Sequence, residues 1–269
     1  MPNTKEKRAV QSVEVGGRLL LVLARNPGPM SLKELAAGAE LPPSRAHPYL
    51  VSFGRLGLIE QESSSGHYRL GPAALQIGLA CLNQLDPIEQ AAPVAKALSV
   101  STGQTVILTI WANFGPTVVR MFESRQPLHV NMRLGTVMSI LGTATGRAFA
   151  ATLPKSALAS AMTGALGEPA RTDALVLPDR DKGLEADVEV ELNLIRSEFE
   201  LYGVTRAAGR PIPGVNAFSA PAFNHENKVA LVITALGHED NFSSDWKGSI
   251  AQEVRQAGKA ISQRLGAYL

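Results

Sequence analysis

Ser44, Arg45, His47 and Tyr49 fall within the stretch PPSRAHPYLVSFGRLG at 42–57. Their spacing fits one helix with two faces. Ala46, Leu50 and Phe53 recur at i, i+4 and i+7, which makes a stripe for a core, while Arg45, Pro48, Tyr49 and Ser52 recur at i, i+3, i+4 and i+7 on another side. Ser44 and His47 flank that second face at the N-terminal end of the helix. A helix that leads with Ser, Arg, His and Tyr presents hydrogen-bonding groups suited to base edges and phosphates in a DNA major groove.

Such a helix must be held by others. Upstream, Ser31 with Glu34 three residues later is a capping box, and Leu32, Leu35 and Ala36 give a short apolar face. Gly38 ends that helix, Leu41 plugs the turn, and Pro42 and Pro43 suit the first turn of the next helix, where a missing N–H costs little. A further helix from Ser12, as its cap, to about Arg25 turns Val15, Leu19, Val22 and Leu23 inward. Gly16 and Gly17 oppose it by about 1 kcal/mol each relative to Ala. Downstream, Leu58 to Glu62 and His67 to Leu70 alternate like strands around Ser63-Ser64-Ser65-Gly66. This hairpin is a wing whose His67 and Arg69 can meet a phosphate backbone.

The chain has 269 residues, 45% apolar and 19% charged, as expected of a soluble globular protein with room for two domains. Net charge is +2, with residues 1–70 holding 9 Lys+Arg against 6 Asp+Glu, so the basic excess sits in the segment suspected of binding DNA. Cys81 is the only cysteine, which excludes an internal disulfide and a cysteine metal cluster; we read it as a small buried residue. The five histidines show no H-x-x-x-H pair, so neither metal nor cofactor is expected. Residues 1–10 read as a flexible tail, not a signal peptide. No apolar run approaches the ~18–20 residues of a membrane span, and a cytoplasmic location follows as the expectation. No G-x-S-x-G elbow or complete phosphate loop is present, and Asp187, Glu189 and Glu191 read as a solvated helix face, so no catalytic residue is named.

After Gly71, the segment PAALQIGLACLNQL is apolar nearly all round, which suits a linker helix that buries itself against a second copy. Beyond it we expect a helix from Pro87 to Ser101, strands over 104–112, 117–123 and 128–132, and a helix from about Thr143. A short helix over 155–163 and an amphipathic one over 183–202 follow. Strands over 215–224 and 228–236 and a closing helix over 244–265 complete the chain. The class is α+β, with an antiparallel sheet and helices around it.

In order and spacing, AVQSVE at 9–14, YLVSFGRLGLIE at 49–60, GHYRLGP at 66–72, GTATGRAFAA at 142–151 and IPGVNAFSAPAFNHENKVALVITALG at 212–237 resemble the isocitrate lyase regulator (IclR) family of bacterial transcription regulators. The resemblance implies a winged helix-turn-helix domain at 1–71, a linker helix at 72–86 and a GAF-like effector-binding domain at 87–269. It also implies double-stranded DNA as partner at a pseudo-palindromic operator, a small-molecule effector, and a homodimer that often pairs into a dimer of dimers. Pro48 departs from the family pattern, leaving recognition to Arg45 and Tyr49 with Ser44 and His47 assisting. Carried onto this chain, the effector pocket falls at the start of the GTATGRA helix, Ala144 and Thr145, and at the sheet positions Ala207, Ala217, Thr234 and Leu236, with Met138 as apolar wall. Ala207-Ala208-Gly209-Arg210 stands where small-keto-acid binders carry acidic or polar groups. A less polar pocket follows, for an organic or aromatic acid larger than a two- or three-carbon keto acid, with the carboxylate on the N–H groups of Ala144 and Thr145, one hydroxyl bond from Thr234 and Arg210 able to attract an anion. The competing reading is a metabolite-binding module or an enzyme with a protein-docking winged domain.

Overall fold

The computed structural model describes residues 9–124, 132–162, 186–209 and 211–267. The chain divides into two compact units, Met1–Leu85 and Asp86–Leu269.

The first unit contains α1 (Gln11–Arg25), α2 (Leu32–Gly38), α3 (Pro43–Arg55), the hairpin β1 (Ile59–Gln61) and β2 (Tyr68–Leu70), and α4 (Pro72–Asn83). The capping box forms: the Glu34 N–H donates to the Ser31 hydroxyl at 3.3 Å, and the Glu34 carboxylate accepts from the Ser31 N–H at 2.9 Å. Ser12 does not cap α1. The carbonyl of Val10 already accepts from the N–H groups of Val13 and Glu14, so the helix starts two residues earlier and Ser12 lies inside it. Gly16 has a packing reason: a Cβ there would stand 2.7 Å from the Phe53 ring, so α1 crosses α3 closely only without a side chain. Val15, Leu19, Leu23, Leu35, Ala46, Leu50, Ile59 and Tyr68 form one core. In the wing, Glu60 faces Arg69 and Gln61 faces Tyr68, and Tyr68 also exchanges backbone hydrogen bonds with Met30.

Helix α4 carries no buried residue. Leu75, Ile77 and Leu79 are 65%, 62% and 51% exposed. Cys81, expected to be buried, is exposed as well, because it shares this uncovered helix.

The second unit begins with α5 (Pro87–Thr102), capped by the Asp86 carboxylate on the N–H groups of Ile88 and Glu89 and closed by Gly103 at φ +68°. Its sheet comprises β3 (Thr105–Ala112), β4 (Gly115–Phe122), β5 (Thr205–Ala208), β6 (Val215–Phe223) and β7 (Val229–His238), in the order β4-β3-β7-β6-β5, with every pairing antiparallel. The remaining helices are α6 (Ala144–Thr152), α7 (Lys155–Met162), α8 (Ala186–Tyr202) and α9 (Ser249–Arg264). Alternation along the strands sends their side chains to two layers. One sheet face packs on α5 and α9, where Gly258 allows α9 to approach Ala220. The other face, with Ile107, Ala217, Ser219, Thr234 and Leu236, lies on the α6 side. Val188, Leu192 and Ile195 of α8 pack with Ile140, Leu141 and Ala150. Arg147 of α6 reaches Glu191 at 3.3 Å and Glu198 at 3.5 Å.

Three differences from expectation have physical causes. Strand β5 is too short and polar in sequence to alternate visibly; pairing with β6 makes it a strand. Helix α9 starts at Ser249, not Ser244, because the preceding loop delivers Trp246 to an aromatic stack. There Trp246 lies on Tyr202 (centroids 4.4 Å, interplanar 10°) and under the Arg206 guanidinium at 4.4 Å. Glu189 and Glu191 are engaged by Lys155 and Arg147 and are not freely solvated. Arg210, Leu184 and most of the strand expected over 128–132 lie outside the described residues, as does the 1–8 part of the N-terminal tail.

Candidate functional sites

Two sites emerge, one in each unit. In the first unit, Ser44, Arg45 and His47 are exposed along the first turns of α3, on the side opposite buried Ala46 and Leu50. Tyr49 is half-buried: its ring lies against α1 beside Gly16, so only part of it is free to reach outward. Pro48 sits inside α3 and lacks the N–H that would continue the helical ladder; its carbonyl accepts from the Ser52 hydroxyl at 3.0 Å. On the wing, His67 is partly exposed, and Arg69 is held by Glu60 at 2.9 Å across the hairpin. An exposed pair of this kind costs little to open. Arg69 can therefore exchange a carboxylate for a phosphate. Glu34 of the capping box has its carboxyl held below the ordinary value of 4.5, first by the Ser31 hydroxyl and then by the Ser31 N–H.

In the second unit, Met138, Ala144, Thr145, Ala207, Ala217, Thr234 and Leu236 all line one cavity of about 40 Å³. They arrive from five places: the segment before α6, the first turn of α6, and the strands β5, β6 and β7, where Ala217 pairs with Leu236 and with Ala207. Ile107, Met132, Thr136, Thr143, Pro211, Ile212 and Val215 complete the wall. Sequence reasoning missed these. Ile107 enters because it pairs with Thr234 and points to the same side, a partnership that the sequence does not mark.

The start of α6 is fixed tightly. Thr143 caps the helix: its hydroxyl accepts from the Gly146 N–H at 2.9 Å and donates to the Ser139 carbonyl at 2.7 Å. Gly146 is required, since a Cβ there would overlap the carbonyls of Ser139 and Ile140. The Thr205 hydroxyl donates to the Ala144 carbonyl at 2.7 Å. Thr145, Thr234 and Ser219 form a buried hydroxyl chain with O···O distances of 2.8 and 2.7 Å. Thr234 is thus already partnered on both sides. The described lining carries no charged side chain. Its polar points are the first N–H groups of α6, where the helix dipole is positive, and the threonine hydroxyls. Among the described residues no cluster of His, Cys, Asp and Glu could hold a metal ion, and no helix is long and apolar enough to cross a membrane.

A helix-turn-helix followed by a wing, joined to a separate domain built on an antiparallel sheet, defines a DNA-binding transcriptional regulator of two-domain type. The model of the IclR helix-turn-helix domain matches residues 12–63, and that of the bacterial transcriptional regulator IclR C-terminal domain matches residues 79–263. The chain belongs to the IclR family. It is 26% identical to the HTH-type transcriptional regulator KipR of Bacillus subtilis (strain 168), over 97% of this chain and 98% of that protein. It is 21% identical to the HTH-type transcriptional repressor AllR of Escherichia coli (strain K12), over 97% and 92%. Among solved structures, Pseudomonas aeruginosa HmgR matches with a TM-score of 0.83 and 32% identity, over 96% of this chain and 99% of that one. KipR and AllR are regulators of transcription.

Proposed function

We propose that this protein is a cytoplasmic, homodimeric regulator that binds a pseudo-palindromic operator and is controlled by a small organic acid. DNA binding is assigned to residues 1–71, the dimer seam to the linker helix within 72–86, and effector binding to 87–269. The observation that carries the effector reading is convergence: seven residues named from the sequence, on five separate segments, line one neutral cavity at the start of α6. In it a carboxylate sits on the N–H groups of Ala144 and Thr145 and its body meets Met138, Ala217 and Leu236. Size narrows the class. About 10–15 Å³ of such space holds one water, so about 40 Å³ suits a compact acid of a few heavy atoms. A ring-bearing acid, as the apolar wall suggested, is larger than that space. On the DNA side, Arg45 leads, Ser44 and His47 assist, Tyr49 contributes its exposed edge, and His67 and Arg69 follow the backbone. Two copies place their α3 helices about 34 Å apart on one face of the duplex. Helix α4, apolar and uncovered, supports pairing through that element.

The test is a gel shift on the DNA upstream of the protein's own gene, with carboxylic acids added. The effective acid should release or strengthen the shifted band and raise thermal stability, by ~2.7 kcal/mol at a hundredfold excess over its dissociation constant. Ala217→Trp fills the cavity and should abolish the response while DNA binding persists. A variant that still responds would remove the acid from this cavity.

A further inference from the structure

We propose that the cavity offers its ligand a hydroxyl proton held jointly by Thr145 and Thr234, and so selects an acceptor oxygen next to the carboxylate. This rests on the reading of the cavity as the effector site.

The argument is a count of protons. Thr143 spends its hydroxyl hydrogen on the Ser139 carbonyl, and Thr205 spends its own on Ala144. The three hydroxyls of Thr145, Thr234 and Ser219 bring three hydrogens to two contacts. One hydrogen is always left over. Ser219 is fully buried, lies outside the cavity lining, and among the described residues its hydroxyl has Thr234 as its partner. A buried hydroxyl without an acceptor is costly, so Ser219 donates to Thr234. Two arrangements remain. Thr234 donates to Thr145, whose hydrogen is then spare, or Thr145 donates to Thr234, whose hydrogen is then spare. Both threonines line the cavity. In either case one donor faces the ligand, at the end of a chain of hydroxyls that polarise one another. The wall around it, Ile107, Ala217 and Leu236, is apolar and offers no competing acceptor.

The arrangement is redundant. Thr145→Val leaves Ser219 donating to Thr234 and the Thr234 hydrogen spare. Thr234→Val leaves the Thr145 hydrogen spare but takes the acceptor from Ser219, so Ser219→Ala must accompany every loss of the Thr234 hydroxyl. Only removal of both threonine hydroxyls strips the cavity of this shared donor.

Methoxyacetate and butanoate test this. They have the same chain length and carboxylate and differ by an ether oxygen, which can only accept, in place of a methylene. Titration calorimetry on the full chain should show methoxyacetate binding about 3–10-fold more tightly, the range expected of one net hydrogen bond. That preference should persist in Thr145→Val and in Ser219→Ala/Thr234→Val and vanish in the triple variant Thr145→Val/Ser219→Ala/Thr234→Val. Equal affinities in the natural protein, or loss of the preference at one threonine alone, would overturn the shared donor while leaving the carboxylate site intact. Binding of neither acid would overturn the carboxylate site and this inference with it. Equal affinities in the natural protein, or loss of the preference at one threonine, overturn the proposal even if the triple variant does not fold.

Discussion

Two helices of this chain are rich in small and apolar residues, and they end in opposite surroundings. Helix α6 has six buried residues and lies against the sheet; α4 has none. Side-chain size separates them. Apart from Phe149 and Arg147, α6 is built of Ala, Gly and Thr, so its backbone can come close to the strands and turn its N-terminus into the cavity. Helix α4 carries Leu75, Ile77, Leu79 and Leu82, which point in too many directions for one surface to cover. Apolar composition says that a helix must be covered. The size and distribution of its side chains say whether its own chain can do it.

The contrast can be broken at its most crowded point. A Cβ at residue 146 would overlap two backbone carbonyls that cannot yield as a side chain would. Gly146→Ala should therefore cost about 3 kcal/mol or more, at the upper end for overpacking, and chemical denaturation should show it as an earlier midpoint of the C-terminal unit. An unchanged midpoint would mean that α6 is not clamped as described. At α4 the expected result is reversed. Leu79→Glu should leave the unfolding midpoint nearly unchanged, because the residue is exposed within one chain. It should weaken self-association by about tenfold or more, from the loss of a buried leucine at the seam, as sedimentation would measure, and DNA binding should fall with it. A natural protein that sediments as a monomer at micromolar concentration would contradict the seam.

Helix α3 sharpens the comparison from a third side, since its exposed face is polar and so meant for a different partner. If Arg45 reads a base edge, Arg45→Ala should cost ~1–3 kcal/mol at the operator and relax specificity there; unchanged operator affinity would remove it from the interface. The smallest effect belongs to α2, only seven residues long and held by its cap. The Glu34 carboxyl is depressed by Ser31, so its contribution is present above the ordinary carboxylate value and is lost as pH falls through the lowered one. Glu34→Gln should make the melting temperature of the N-terminal unit less sensitive to acid, by a small margin because the group is fully exposed. An equally acid-sensitive variant would mean that the cap is not the cause.

Elements whose signals are local could be read in the sequence. The Ser31–Glu34 box, the Ala46–Leu50 stripe, the turn before Leu41 and the strand over 104–112 all rest on signals within a few residues, and each formed. What escaped depended on distant partners. Strand β5 exists because β6 lies beside it, and the start of α9 is set by Trp246 finding Tyr202 and Arg206. The cavity divides the same way. Ala144 and Thr145 followed from a helix start, and the sheet positions from a family resemblance. The hydroxyl of Ser219, one strand away and pointing to the same side, has no mark in the sequence that joins it to Thr234.

The aromatic stack beside α8 gives the molecule an optical asymmetry. The chain has two tryptophans, Trp111 and Trp246, and both belong to the C-terminal unit; the N-terminal unit has Tyr49 and Tyr68. Trp246 is pressed between an aromatic ring and a guanidinium, and Trp111 lies 5.4 Å from the Phe149 ring. Indole emission therefore reports on the C-terminal unit, whereas far-ultraviolet circular dichroism reports on the helices of both. Where the two signals melt at different temperatures, the units unfold separately, and the gap between the curves measures their independence without any attached dye.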